Sequence, residues 1–306
     1  MSRAVIVEKF GGPEVLELRD VAEPHAQAGE VRVKVAYAAL NPMDPGLVLR
    51  PEMAKMFGIS LPSGFGSDFA GVIDEVGEGV TGYAVGDRVF GGAIGRAVAD
   101  YVVTKPGSRL WHTPDTVNDV VASTLPVAGL TAIAALDAIH VQRGDTVLIG
   151  GAAGGVGVFA VQLAKLAGAR VIGTASEKTF SFLTSLGAEP VAYGEGLADR
   201  VRSLTPDGLT AAADLFGTEA AEAALELGVA PERISTIAAQ ANVSVNVQAT
   251  GARNANPEDM HKITDAIGTG ELVVPIEKRF PIEDIQEAVK LLSARHTHGK
   301  IIITLS

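Results

Sequence analysis

The chain has 306 residues, with 36 acidic against 25 basic side chains, a net charge of −11 and a pI ≈ 5.0. That length suits two domains of about 150 residues each, and the charge disfavours wrapping nucleic acid or resting on anionic lipid. There is no cysteine, which excludes disulfides, thiol nucleophiles, iron–sulfur clusters and thiolate zinc sites.

The opening MSRAVIVEKF lacks the apolar stretch of a leader peptide. No apolar run reaches the ~18 residues of a membrane span, so a cytoplasmic protein with no membrane or nucleic-acid partner is expected. The first hundred residues read as β. Glu14–Val21 alternates, and so does Glu30–Ala36, with Val31, Val33 and Val35 on one face and Arg32 and Lys34 on the other. Short apolar runs follow at Ala70–Val76, Arg88–Phe90 and Asp100–Thr104, divided by glycine turns. Their close spacing predicts a barrel-like domain. Val117–Ile139 has helical spacing, interrupted around Pro126.

From residue 145 strands and helices alternate. The predicted strands are Thr146–Ile149, Arg170–Gly173, Pro190–Tyr193, Asp214–Phe216 and Ile234–Ala238. The helices between them include Gly155–Ala167 and Lys178–Leu186, the latter stopped by Gly187. This rhythm predicts a doubly wound parallel sheet, so the fold class is α/β. Near the end, Glu271–Pro275 and Ile301–Leu305 read as strands and Ile282–Ser293 as an amphipathic helix.

The strongest chemical signal is Gly150-Gly151-Ala152-Ala153-Gly154-Gly155-Val156-Gly157, set between a strand and a helix. Glycines let the backbone bend sharply and approach a pyrophosphate. The N–H groups of Ala153, Gly154, Gly155 and Val156 then face that anion at a positive helix end. Gly157 permits close helix packing. Ala152 stands where the usual dinucleotide motif has its first glycine. An NAD site usually ends its second strand with an acid. Here the strand runs through Thr174 to Ser176, with Lys178 beyond. A hydroxyl and an ammonium suit a 2′-phosphate, so the expected cofactor is NADPH. Phe216, Gly217 and Ile237, at the carboxyl ends of later strands, are further candidate cofactor contacts.

Four stretches resemble the medium-chain dehydrogenase/reductase superfamily, in its zinc-free quinone-oxidoreductase-like branch. They are Ala39-Leu40-Asn41-Pro42-Met43-Asp44; Gly66-Ser67-Asp68-Phe69-Ala70-Gly71-Val72 with Glu75-Val76-Gly77 and Gly86-Asp87-Arg88-Val89; the Ala152–Gly157 turn with Gln162-Leu163-Ala164; and His298-Gly299-Lys300-Ile301-Ile302. The resemblance implies a GroES-like β-barrel domain over 1–118 and 270–306, and a Rossmann NADP-binding domain over 119–269. It implies an active site between the two and a homodimer. His298 is implied to run close to the cofactor.

Zinc-dependent relatives carry Cys where Asn41 stands and His-Glu where Ser67-Asp68 stands, so no metal is expected. The six histidines (25, 112, 140, 261, 296 and 298) make no convincing site. Without a Lewis acid, hydride must pass to an acceptor that is already electrophilic, a quinone or an α,β-unsaturated carbonyl. The resemblance puts Asn41 on the site as an amide donor and Thr131 near the nicotinamide amide, and Asp44 is a candidate to orient either Asn41 or the ribose. The tyrosine that relatives carry after the N-x-x-D motif is absent. Arg50 is a candidate electrophile, and the apolar residues of Gly46–Pro62 a candidate lip over the substrate. Two other readings stay open: a zinc-free carbonyl or enoyl reductase of a biosynthetic pathway, and a non-catalytic NADPH-binding redox sensor.

Overall fold

The computed structural model describes residues 1–107, 109–237, 247–295 and 297–305. Two compact units are present, Met1–Val127 with Ile276–Ser306, and Ala128–Pro275. Among the described residues no helix is long and apolar enough to cross a membrane.

The first unit is mainly antiparallel β. Its elements are β1 (Ser2–Val7), β2 (Leu16–Val21), β3 (Val31–Leu40), α1 (Met43–Leu49), α2 (Pro51–Met56), β4 (Ser63–Gly64), β5 (Asp68–Val76), β6 (Arg88–Gly92), β7 (Tyr101–Thr104), β8 (Leu110–His112) and α3 (Asp119–Ala122). Three strands pair in the order β2-β1-β4. The larger sheet is completed from the other end of the chain. There β15 (Ile276–Pro281), α10 (Ile285–Ser293) and β16 (Lys300–Thr304) return, giving the order β15-β16-β3-β5-β6-β8 with β7 on β3. β16 lies antiparallel on β3, Ile301 opposite Leu40.

Val31, Val33 and Val35 enter the core as their spacing requires, joined by Phe69, Ile73, Val89, Ile301 and Ile303. Arg32, on the other face, is nevertheless covered. Its guanidinium grips both Asp74 oxygens at 2.9 and 3.0 Å and lies 4.6 Å above the Tyr101 ring. Such a planar, bidentate ion pair lets an arginine lie in a covered position.

The segment after residue 118 stays with this unit. Arg88 donates to Val117 O and to Asp119 Oδ1, each at 2.7 Å. The helical break falls at Ser123 and Thr124, whose hydroxyls donate back to Val120 O and Val121 O. Pro126 sits in the first turn of α4 (Leu125–Asp137), where no N–H is needed.

The second unit carries β9 (Thr146–Gly150), α5 (Gly157–Leu166), β10 (Arg170–Ala175), α6 (Phe180–Ser185), β11 (Glu189–Ala192), α7 (Leu197–Leu204), β12 (Ala211–Asp214), α8 (Glu219–Glu226), β13 (Ile234–Thr236), β14 (Gln248–Ala249) and α9 (Met260–Gly268). Its strands are all parallel, in the order β11-β10-β9-β12-β13-β14. That is the Rossmann order, with its switch point between β9 and β12. Leu148, Ile172, Ala212 and Ile234 line the packed side towards α7 and α8.

Three strand assignments change. Asp214–Phe216 is not a strand: β12 ends at Asp214, whose carboxylate accepts from Phe216 N and Ala221 N and turns the chain. Glu271–Pro275 is not a strand either. Val273 gives its N–H to Gln162 Oε1 and takes a bond from Gln162 Nε2, so a side chain replaces a ladder. Ile234–Ala238 is a strand only to Thr236, and Ala238 lies outside the described residues.

Candidate active site

The glycine turn follows β9 and leads into α5. Gly151 has φ +66°, a left-handed conformation that favours glycine. A Cβ on it would lie 2.7 Å from Phe216 Cβ. A Cβ on Gly157 would lie 2.3 Å from Gly151 O and 2.4 Å from Ala152 O. The close contact that Gly157 permits is thus between the helix start and the turn itself. Ala152 is fully buried, close to Gly173 of β10. A side chain is therefore tolerated where the motif usually has glycine. Ala153, Gly154, Gly155 and Val156 complete the bend at the start of a ten-residue helix; Gly154 N already donates to Gly151 O at 3.0 Å, and Val158 N and Phe159 N donate to Gly154 O and Val156 O at 3.0 and 3.1 Å. This bare, positive cradle fits the diphosphate of a nicotinamide cofactor.

Thr174 holds the turn from below. Its hydroxyl accepts from Gly151 N at 3.0 Å and its carbonyl from Ala152 N at 3.3 Å. Neither bond uses its hydroxyl proton, so Thr174 stays a proposed cofactor contact that also holds the turn. Ser176 and Lys178 lie just past the end of β10. Thr179 gives its one hydroxyl proton to Ser176 O at 2.7 Å, so Ser176 is the donor in its own 2.8 Å contact with Thr179 Oγ1. Lys178 is exposed and makes no ion pair among the described residues. Phe216 is 56% exposed and Gly217 has φ +93°, both on the loop after β12. Ile237 N donates to Asp214 O at 3.1 Å, holding the end of β13 beside that loop. Thr131 is buried in α4.

Two residues in this unit escaped the sequence reading. Tyr193 follows Ala192, which pairs with Ala175 in register, so it leaves its strand beside Ser176 and is 56% exposed. Asp214 is fully buried, and burial pushes its carboxyl pKa up. It shapes the Phe216–Gly217 loop through the two backbone bonds described above.

The first unit contains a closed polar network. Asn41, Asp44, Ser67, Asp68 and Lys300 are all buried. Lys300 Nζ donates to Leu40 O at 3.1 Å and to Asn41 Oδ1 at 2.6 Å. Asn41 Nδ2 donates to Asp68 Oδ2 at 2.8 Å, and Asp68 Oδ1 accepts from Val127 N at 3.1 Å. Asp44 accepts from Asn41 N at 2.7 Å and from the Ser67 hydroxyl at 2.5 Å. Burial pushes the Asp44 carboxyl up to about 6 and that of Asp68 up to about 7, while the Lys300 charge pulls both back. Burial lowers the Lys300 ammonium in turn.

The expected role of Asn41 as a donor to substrate is corrected by this geometry. Its Nδ2 protons point at Asp68 Oδ2 and, at 3.5 Å, at Ala39 O. Asp44 bonds the Asn41 backbone. The network drew on three residues that sequence reasoning gave no role: Ser67, Asp68 and Lys300.

His298 belongs to the same unit, where its N–H donates to Glu277 Oε2 at 3.2 Å. His296 lies outside the described residues. Arg50 Nη2 rests on Met53 Sδ at 3.3 Å. In the expected lip, Leu47 is buried whereas Leu49 and Met56 are 60% exposed. Among the described residues no three His, Asp or Glu side chains cluster as metal ligands would.

Two family models match the chain: the alcohol dehydrogenase GroES-like domain over residues 27–115, and the zinc-binding dehydrogenase over residues 186–303. A quinone oxidoreductase of Pseudomonas aeruginosa is 31% identical across 99% of this chain and 99% of its own. The solved structure of a mycobacterial protein complexed with NADPH shares 30% identity at a TM-score of 0.86, covering 99% of this chain and 100% of that one. A solved NAD-dependent alcohol dehydrogenase shares 30% identity at a TM-score of 0.87, again over 99% and 100%. Identity over nearly the full length, with both family models in order along the chain, makes this protein a member of the medium-chain dehydrogenase/reductase superfamily, in its quinone-oxidoreductase-like branch.

Proposed function

We propose that this oxidoreductase binds NADPH and transfers hydride, without zinc, to a quinone or an α,β-unsaturated carbonyl. One observation carries the reading: the Lys300 ammonium, 2.6 Å from Asn41 Oδ1 and opposite the buried Asp68, already supplies the positive charge of this site. Zinc does not fit these residues. The chain has no thiolate, and the Asn41 amide oxygen already accepts from the Lys300 ammonium, so a divalent cation bound there would sit against that positive charge. The acceptor must then be electrophilic by itself, as quinones and enones are. The Pseudomonas relative is a quinone oxidoreductase, which agrees with that chemistry.

Bound NADPH supplies the hydride; the chain binds and orients it. The bare turn takes the diphosphate. Ser176 and Lys178 take the 2′-phosphate, Ser176 by redirecting the proton it gives to Thr179, and Tyr193 offers a flat exposed ring to the adenine. Phe216, Gly217 and Ile237 border the cofactor from the neighbouring strand ends, and His298 remains a proposed contact. Thr131 is the proposed partner of the nicotinamide amide. With Asn41 turned inward, the reduced acceptor takes its proton from water.

The test is NADPH oxidation by metal-stripped protein against a panel of simple quinones and 2-alkenals. Turnover with substoichiometric zinc is expected. A strict zinc requirement overturns the reading, and tight NADPH binding without turnover of any acceptor favours the redox-sensor alternative. Turnover of acyl-thioesters with little quinone activity favours the biosynthetic reductase.

The cofactor choice has its own test. Ser176→Glu puts a carboxylate where the 2′-phosphate is proposed to sit. The dissociation constant for NADPH should rise on the order of 100-fold, about 2.7 kcal/mol, while that for NADH changes far less. Equal losses for both, read by titration calorimetry, remove the assignment.

A further inference from the structure

The buried network is an ionic cross-link without a metal. The family resemblance implies metal ligands in zinc-dependent relatives where Asn41, Ser67 and Asp68 stand. Those positions lie at the end of β3 and the start of β5. A divalent cation joined to them would tie these strand ends together. In this chain the positive charge arrives from β16, on Lys300.

Asn41 is the coupler. Its oxygen takes the ammonium and its nitrogen gives to the carboxylate. Flipping the amide would set NH2 against NH3⁺ and oxygen against COO⁻, so one orientation is enforced. Asp68 extends the link to Val127 N, in the first turn of α4, where a carboxylate also suits the helix dipole. Asp44 extends it to the backbone of Asn41, three residues away at the start of α1.

We propose that Lys300 is a positioning residue that stands in for a divalent cation, fixing through the Asn41 amide both the Asn41–Asp44 turn that starts α1 and the first turn of α4. The link is internal, so its formation needs no metal supply and no thiolate. Removing Lys300 alone leaves a buried carboxylate without its counter-charge, which is strongly unfavourable. Removing Lys300 and the Asp68 charge together takes away that mismatch and leaves Asp44, held by Asn41 N and the Ser67 hydroxyl, as the network's one carboxyl, which is tolerated better. The kinetic consequence rests on the proposed hydride transfer; the structural one does not.

Lys300→Met and Lys300→Met/Asp68→Asn, each studied with NADPH bound, test this. The single variant should lose much of its thermal stability and the double variant should regain most of it. In the double variant kcat with a quinone should stay depressed by on the order of tenfold, because the Asn41–Asp44 turn and the first turn of α4 have lost the link that fixes them. Its NADPH dissociation constant should change far less than kcat, since the glycine turn that takes the diphosphate belongs to the other unit. Amide protons of Asn41 and Val127 should exchange faster with solvent in the double variant than in the wild type.

A double variant as unstable as the two single changes summed would overturn the ionic link. Recovery of both kcat and amide protection along with the melting temperature would reduce Lys300 to a merely structural residue. If the wild-type chain itself turns over no quinone, the proposed function fails, and the melting and exchange pattern still decides the role of Lys300.

Discussion

Gly157→Ala should abolish cofactor binding, weakening NADPH by at least about 100-fold. The smallest possible side chain has nowhere to go. Its Cβ would fall 2.3 Å from Gly151 O and 2.5 Å from Ala152 C, and both neighbours are backbone. Backbone atoms of a tight turn cannot step aside as a side chain tip can, so either the turn opens or α5 moves off the sheet. Each outcome spoils the cradle of N–H groups on which diphosphate binding depends. Overpacking of this kind also costs about 1–3 kcal/mol of stability. Gly154→Ala is the control. Its Cβ would meet nothing closer than Gly151 O at 3.3 Å, and Gly154 lacks a positive φ. That variant should keep the melting temperature while losing affinity, because a methyl group now stands on the bare face of the turn. If Gly157→Ala binds NADPH within about threefold of the wild type, the turn does not hold the diphosphate.

Much of this site was legible because some physical demands leave a one-dimensional mark. Alternation at Val31, Val33 and Val35 fixes which face of β3 is buried, and glycines between a strand and a helix mark a close backbone approach. The buried network leaves no such mark. Lys300 opens the run KIIIT and looks like a solvent-exposed strand end. Its ammonium is buried only because β16 lands antiparallel on β3 beside Leu40 and Asn41, a contact between positions 259 residues apart. Asp68 likewise reads as an isolated acid in an apolar strand until Asn41 and Val127 arrive beside it. The false strand at Glu271–Pro275 has the same origin. Two valines suggest β structure, but a glutamine from α5 satisfies the backbone first. The true edge strand, Ile276–Pro281, carries Glu277, Lys278 and Arg279, charges that suit a sheet edge and conceal it from a hydropathy reading.

Asp44→Asn should change the pH dependence of stability more than stability itself. Asp44 is buried, and its carboxyl is pushed up from 3.8 to about 6, with burial the largest cause. A raised carboxyl means that the native state holds its proton more tightly than the unfolded chain does. The resulting stabilisation is fully present below about pH 4 and is lost as pH rises through about 6. Between about pH 5 and pH 8 the wild type should therefore lose roughly 1.5 kcal/mol from this group alone. Asparagine does not titrate, so the variant escapes that loss. It also keeps its bonds: Oδ1 can still accept from Asn41 N, and Nδ2 can donate to Ser67 Oγ once that hydroxyl reverses. The variant should be less stable than the wild type near pH 5 and should match or exceed it near pH 8, in denaturant melts at constant ionic strength. Lys300 bears on the sign. Its charge favours ionised Asp44, so the wild-type loss should come at lower pH when Lys300 is present than in Lys300→Met. A stability difference between Asp44→Asn and wild type that stays flat from pH 5 to pH 8 would mean that Asp44 titrates as it does in the unfolded chain. The closed network of Asn41, Ser67 and Lys300 would then have to be open to water.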